Sequence, residues 1–217
     1  MAIGHQGING PFRGKVGTVV GYNLNGQQVM RSVGRRIKPF TPLELLNQAK
    51  MKAVSKFLSP IQNIVKFGYQ QEAPSGSRVG AFQLAQSYVR KNAIDLDEED
   101  APFVNPAKVL ISRGTLPPPL NGTATYEDNR LTIHWEQSGN AWGEDRLVVL
   151  LYDGYLFRYF RESGAERQEG TEILVIDALR RIEQPVHVYA AFRNAFSGRI
   201  SDSVYCGALM PGETGGR

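Results

Sequence analysis

Residues 117 to 119 are three consecutive prolines. Such a run fixes three φ angles and removes three backbone donors, so neither a helix nor a central strand can pass through it. The chain of 217 residues therefore reads as two units, 1–118 and 119–217, and each is long enough to bury a core. Charge divides at the same place. The first unit carries 15 Lys+Arg against 7 Asp+Glu, net +8, and the second carries 10 against 14, net −4. Every lysine lies in the first unit, as expected of two modules with different surfaces.

In the first unit, Val16, Thr18, Val20 and Tyr22 alternate as in a strand. Asn25-Gly26 supplies the positive φ angles of a tight hairpin turn, and Val29 to Val33 returns as the partner. Gly17 and Gly21 fall on the face opposite Val16 and Val20, a face that would admit another backbone closely. Thr41-Pro42-Leu43-Glu44 then starts a helix: Thr41 caps, Pro42 suits the first helical position, and Glu44 reaches back. Leu46, Ala49, Ala53 and Phe57 form its apolar stripe. Ser59-Pro60 ends it, and a second short helix stops at Gly68. A third is predicted from Arg78 to Lys91, with Val79, Phe82, Ala85 and Val89 on one side. Asp95 to Asp100 is predicted to be a solvated loop, and Lys108 to Ser112 a closing strand.

The second unit shows β runs at near-regular spacing: Arg130 to Trp135, Arg146 to Tyr152, Tyr155 to Phe160, Thr171 to Ile176, Val186 to Phe192 and Ser201 to Cys206. Turn-rich stretches such as Glu127-Asp-Asn, Ser138-Gly-Asn and Ser197-Gly separate them. The pattern predicts an antiparallel sandwich in which Trp135 is buried and His134 points outward. The fold class is thus an α+β part, a hairpin plus two or three helices, followed by an all-β sandwich.

Two resemblances follow from these residues. Leu131-Thr-Ile-His-Trp135, with Val186-His-Val-Tyr-Ala-Ala-Phe-Arg-Asn194 and the Ala195-to-Gly198 turn, resembles the B strand, F strand and F–G turn of fibronectin type III domains. The pattern departs from that family in having Val186 and His187 where a corner tyrosine is usual. Such modules bind proteins or space other domains, and fold alone assigns no function. The whole chain is also similar to a Bacteroidota family of short proteins of unknown function. Gly14-Lys-Val-Gly-Thr-Val-Val-Gly-Tyr-Asn23, Val29-Met-Arg-Ser32, Gln48 to Leu58 and Val109 to Gly114 carry that likeness. That family implies no catalytic residue.

Motifs for chemistry are missing from the sequence. Gly10-Pro-Phe-Arg-Gly14-Lys15 has three residues between its glycines where a phosphate loop has four, and Val16 stands where Ser or Thr would follow the lysine. No Gly-x-Ser-x-Gly elbow is present. Cys206 is the single cysteine and reads as packing, and His5, His134 and His187 have no metal-pair spacing. No enzyme activity, cofactor or metal is expected. No apolar run reaches the roughly 18 residues of a membrane span, and the opening segment lacks a signal-peptide core. Synthesis in the cytoplasm without membrane attachment is the expectation.

The strongest surface feature is cationic. Residues 1–91 hold 13 Lys+Arg against Glu44 and Glu72 alone. The candidate contact residues are Arg13, Lys15, Arg31, Arg35, Arg36, Lys38, Lys50, Lys52 and Lys56. Two partners fit. One is protein, including the acidic second unit of a neighbouring copy meeting the basic first unit head to tail. The other is nucleic acid bound without sequence preference. The leading expectation is an oligomeric structural or assembly protein, such as a phage or phage-derived virion subunit; the alternative is a cytosolic nucleic-acid-binding protein.

Overall fold

The computed structural model describes residues 3–4, 10, 12–24, 26–73, 79–137, 144–177, 179 and 182–210. Four short strands come first: β1 (Ile3–Gly4), β2 (Phe12–Val16), β3 (Val19–Leu24) and β4 (Gln27–Ser32), paired antiparallel in chain order. The Val16-to-Tyr22 strand expected from alternation is broken in two. Gly17, at φ +56°, and Thr18 form a tight turn, so Val16 pairs with Val19 and Lys15 with Val20. Gly17 adopts a left-handed conformation that other residues reach at a cost. The turn reverses the parity, and Val16 and Val20 fall on opposite faces. The second hairpin forms where expected, since Leu24 pairs with Gln27 across a two-residue turn. There Gly26 has φ +87° and its N–H donates to Asn23 Oδ1 at 2.7 Å; Asn25 lies outside the described residues. The close approach anticipated at Gly21 is to the sheet's own β2, because a Cβ there would collide with the Phe12 carbonyl and ring.

Helix α1 (Pro42–Leu58) begins with the anticipated reciprocal cap. A 3₁₀ turn at 59–61 leads into α2 (Gln62–Gly68), and α3 (Ala81–Asn92) follows. The third helix starts later than predicted: Gly80 is extended, at φ −78° and ψ 161°, and Val79 precedes the helix. Arg78 lies outside the described residues.

The acidic run is only in part a loop. Asp95 sits in β5 (Ile94–Leu96), which pairs with β6 (Pro102–Val104), and residues 97–100 make the turn. Lys108 to Ser112 is not a strand. The segment runs beside residues 201–203, where serine hydroxyls replace ladder bonds. Ser203 Oγ accepts Ile111 N–H at 2.8 Å, and Ser112 Oγ donates to the Ser201 carbonyl at 2.9 Å.

The remaining strands are β7 (Leu120–Glu127), β8 (Arg130–Glu136), β9 (Asp145–Tyr152), β10 (Phe157–Arg161), β11 (Thr171–Val175), β12 (Val186–Asn194) and β13 (Val204–Leu209). They form two antiparallel sheets, ordered β11-β8-β7 and β10-β9-β12-β13. Strand β7 is an addition to the predicted set; its Gly122, Thr123, Ala124 and Thr125 carry little apolar signal. Strand β10 starts two residues late because the Asp153 carboxylate holds the Tyr155 and Leu156 N–H groups in a turn, at 2.8 and 2.6 Å. Strand β13 starts at Val204, and Ser201 makes only an isolated bridge to Leu116. The turn expected at Ser138 to Asn140 lies outside the described residues.

Two apolar clusters hold the fold. Leu131, Ile133 and Trp135 face Leu147, Val149, Leu151, Val188 and Phe192 between the sheets, with the Trp135 and Phe192 rings edge to face at 5.7 Å. The second cluster lies on the other side of the four-stranded sheet. There Val54, Phe57, Leu58, Val65, Tyr69 and Val89 pack against Leu150, Tyr152 and Tyr189. Tyr152 donates its hydroxyl to the Phe57 carbonyl at 2.6 Å, and Tyr189 to that of Pro106 at 2.9 Å. Strand β9 is thereby buried on both faces, as only a strand covered on both sides need be. The helices and sandwich meet across the proline run in one apolar cluster.

Candidate functional site

The first four strands lie outside both cores. Among the described side chains, which are those of β2 to β4, none belongs to either apolar cluster, and Gly21 is the only buried residue. They form an arm, and its pairing register decides what each face presents. Lys15, Val20 and Arg31 stand in one cross-strand row, and Tyr22 pairs with Val29 one row on. Directly paired residues share a face, as do residues two apart along a strand. Val20, Tyr22, Leu24 and Val29 therefore make a half-buried apolar stripe, edged by Arg13, Lys15 and Arg31. The Arg31 guanidinium lies 5.8 Å from the centre of the Tyr22 ring, within cation–π range.

The other candidate cations part company. Arg35, Arg36 and Lys38 lie in the irregular linker between β4 and α1. Arg36 is committed there: it donates to the Lys38 carbonyl at 2.8 Å, pairs with Glu44 at 2.6 Å, and stacks 3.9 Å over the Phe40 ring. The guanidinium beside Glu44 holds that carboxyl below its ordinary value, helped by the Thr41 backbone and hydroxyl. Arg35 and Lys38 are exposed. Lys50 is half-buried on α1, and Lys52 is exposed on it. Lys56, on the same helix, sits 5.1 Å from the Tyr155 ring at the mouth of an open cleft of about 430 Å³. Phe57, Phe103, Pro106 and His187 also line that cleft. Sequence order thus groups nine cations that the fold divides: Arg13, Lys15 and Arg31 on the sheet face, Arg36 in the helix-start clamp, Lys56 at the cleft, Arg35 and Lys38 in the linker, and Lys50 and Lys52 along α1.

Sequence reasoning missed the buried ion pair of the sandwich. Arg167 and Asp145 approach to 3.0 Å with side chains 3% and 1% exposed. Asn194 donates to the other Asp145 oxygen at 3.0 Å, and the Arg167 guanidinium lies 3.9 Å over Phe192. Arg167 also donates to the Pro117 carbonyl at 2.8 Å, and its own carbonyl accepts the Trp135 indole N–H at 2.8 Å. The Arg167 bonds to Asp145 and the Pro117 carbonyl fasten the proline run to the sandwich. The apolar run from Leu147 to Tyr152, beginning two residues after Asp145, was the available signal. Such a run implies a strand buried on both faces, which places the flanking acid at a covered edge.

Among the described residues no three His, Cys, Asp or Glu side chains group to hold a metal ion. Burial pushes the Cys206 thiol up to about 12, which removes thiolate character. Among the described residues no helix is long and apolar enough to cross a membrane.

The profile of a family described as a family of unknown function (DUF6266) matches residues 11–207. The chain belongs to the DUF6266 family. No curated protein and no solved structure matches it. The DUF6266 match takes in β2 to β4 of the arm, the helices and the sandwich strands, running through the proline run without a break. Strands β2 to β4 of the arm are therefore part of the DUF6266 unit and belong in any account of its role.

Proposed function

We propose that this protein is a non-catalytic structural or assembly protein that works through protein–protein contacts. One observation carries the reading: a four-stranded arm with an apolar, cation-edged face stands outside both cores of its own chain. Small sheets need cover for their apolar face to be stable, and among the described residues neither core cluster includes this face. We take the sandwich to be a fibronectin type III-like spacer. Its three-on-four strand arrangement supports this, with Trp135 of β8 and Phe192 of β12 meeting at the centre. The setting we propose is a phage or phage-derived virion, with a Bacteroidota origin, and capsid, portal or tail genes beside its own would support it. Sedimentation velocity over a range of concentration and salt tests the assembly role. Species larger than the monomer are expected, and a monomer under every condition removes the reading.

A second reading rests on Lys15, Arg31 and Tyr22 sharing one face of the arm, since cations around an aromatic suit a nucleic-acid strand. Affinity for DNA and RNA measured against salt tests it. A steep loss with rising salt supports it, and no binding at low salt ends it.

A further inference from the structure

We infer that the arm docks onto the β5–β6 hairpin of a second copy of this chain. The inference rests on the assembly role proposed above and names its surfaces. Two sets of charge on the molecule are left without opposite partners. On and below the arm, Arg13, Lys15, Arg31, Arg35 and Lys38 are exposed, and none takes part in an ion pair among the described residues. At the β5–β6 turn, Asp97, Glu98, Glu99 and Asp100 are exposed and likewise meet no basic group. The Asp97 carboxylate accepts the Glu99 and Ala101 N–H groups at 3.0 and 2.8 Å, so the turn is internally tied and presents its charges from a fixed loop.

The match is apolar as well as ionic. Leu96, paired with Pro102 beside the acidic turn, is exposed on one face of the hairpin, and Phe103, paired with Asp95, is exposed on the other. The arm's stripe of Val20, Tyr22, Leu24 and Val29 offers the complementary apolar cover. An acidic tip with the Leu96 face beside it, set against an apolar stripe edged by cations, satisfies both patterns at once. Charge then sets the register and speeds encounter, and apolar burial holds the contact. A single chain carries both halves of the pair, which is why the occupant is another copy. The contact is heterologous, arm to hairpin, so it grows a chain of copies, or closes when two copies exchange arms reciprocally.

Charge reversal tests the pairing. One variant carries Arg13→Glu, Lys15→Glu and Arg31→Glu; the other carries Asp97→Lys, Glu98→Lys, Glu99→Lys and Asp100→Lys. All seven positions are exposed, and circular dichroism confirms that each variant keeps the parent's fold. Sedimentation velocity at low salt, after nuclease treatment, is expected to show the parent self-associating and each variant weakened by at least about tenfold. An equimolar mixture of the two variants, in which opposite charges again face, is expected to recover hetero-association. Parent-like association of either variant alone, or no recovery on mixing, overturns the arm–hairpin contact while leaving the assembly role standing. A parent that is monomeric throughout removes both. Association that disappears on nuclease treatment overturns the contact in favour of a nucleic-acid bridge.

Discussion

Arg36 Nη2 lies 2.6 Å from Glu44 Oε2, and the same oxygen accepts the Thr41 backbone N–H at 2.9 Å. The linker from the arm is thereby folded back on the first turn of α1. A cation that by composition belongs with a polyanion surface instead closes a helix start, where a carboxylate is favoured by both the orphan N–H groups and the helix dipole.

Loosening this clamp is measurable at the helix end. Thr41→Ala removes the hydroxyl that accepts the Glu44 N–H at 3.3 Å and is expected to cost about 1 kcal/mol in urea unfolding. Arg36→Ala should let the Glu44 carboxyl rise toward its ordinary value and lower hydrogen-exchange protection at the start of α1. The sign follows from the lowered native pKa. The Glu44 contribution is present above the ordinary carboxylate value of about 4.3 and is lost as pH falls through the lower native one.

Arg167 and Asp145 are nearly inaccessible, so removing one leaves a buried charge without its partner. Asp145→Asn or Arg167→Met is expected to destabilise by about 3–5 kcal/mol in denaturant titration. Replacing both with apolar residues should cost less than the sum of the single changes, which a double-mutant cycle reads directly.

Gly68 and Gly114 mark where chain segments cross without room for a side chain. A Cβ at Gly68 would collide with the Ile111 carbonyl, and one at Gly114 with that of Ile200. Alanine at either site is expected to destabilise by roughly 1–3 kcal/mol. Alanine at the open position Gly34, where a Cβ would meet nothing within 4 Å, should leave the melting temperature unchanged.

Burial lowers the pKa of His187, with Asp153 opposing the shift, and His187 Nδ1 lies 3.1 Å from the Tyr205 hydroxyl. The unfolded chain therefore binds the proton more readily than the folded one. Stability is expected to be full above about pH 6.5 and to fall as pH drops from there through the lower native value. His187→Phe should flatten that slope in unfolding curves taken between pH 7 and 5.

Cys206 is buried at the core of the sandwich, and its thiol is pushed up to about 12. A thiol reagent is expected to label it at the rate of unfolding in native buffer and at once in denaturant. Rapid native labelling would contradict the buried placement.

Local physics reached the sequence clearly at some positions. Thr41, Pro42 and Glu44 announce a helix start because every group of a capping box lies within four residues. Asn25-Gly26 announces a hairpin because backbone strain is a property of the turn itself. Most strands of the sandwich were legible for the same reason, each carrying its own alternation or apolar run, whereas β7 and the three-residue strands β5 and β6 carry too few apolar positions to register.

What tertiary structure alone decided is which groups meet. The turn at Gly17 shifts the parity of the arm, and that shift, rather than the order of residues, puts Lys15 and Arg31 in one row with Val20. Tyr152 and Tyr189 point away from the sandwich core into the helices because α1 to α3 cover the outer face of the same sheet. Arg36 faces Glu44 and Arg167 faces Asp145 across 8 and 22 residues of chain. By itself the sequence determined the capped start of α1, the second hairpin and most strands of the sandwich, since propensity, capping and turn strain act over a few residues. The pairing of faces and charges depends on register and packing between distant segments, and only the folded chain settles it.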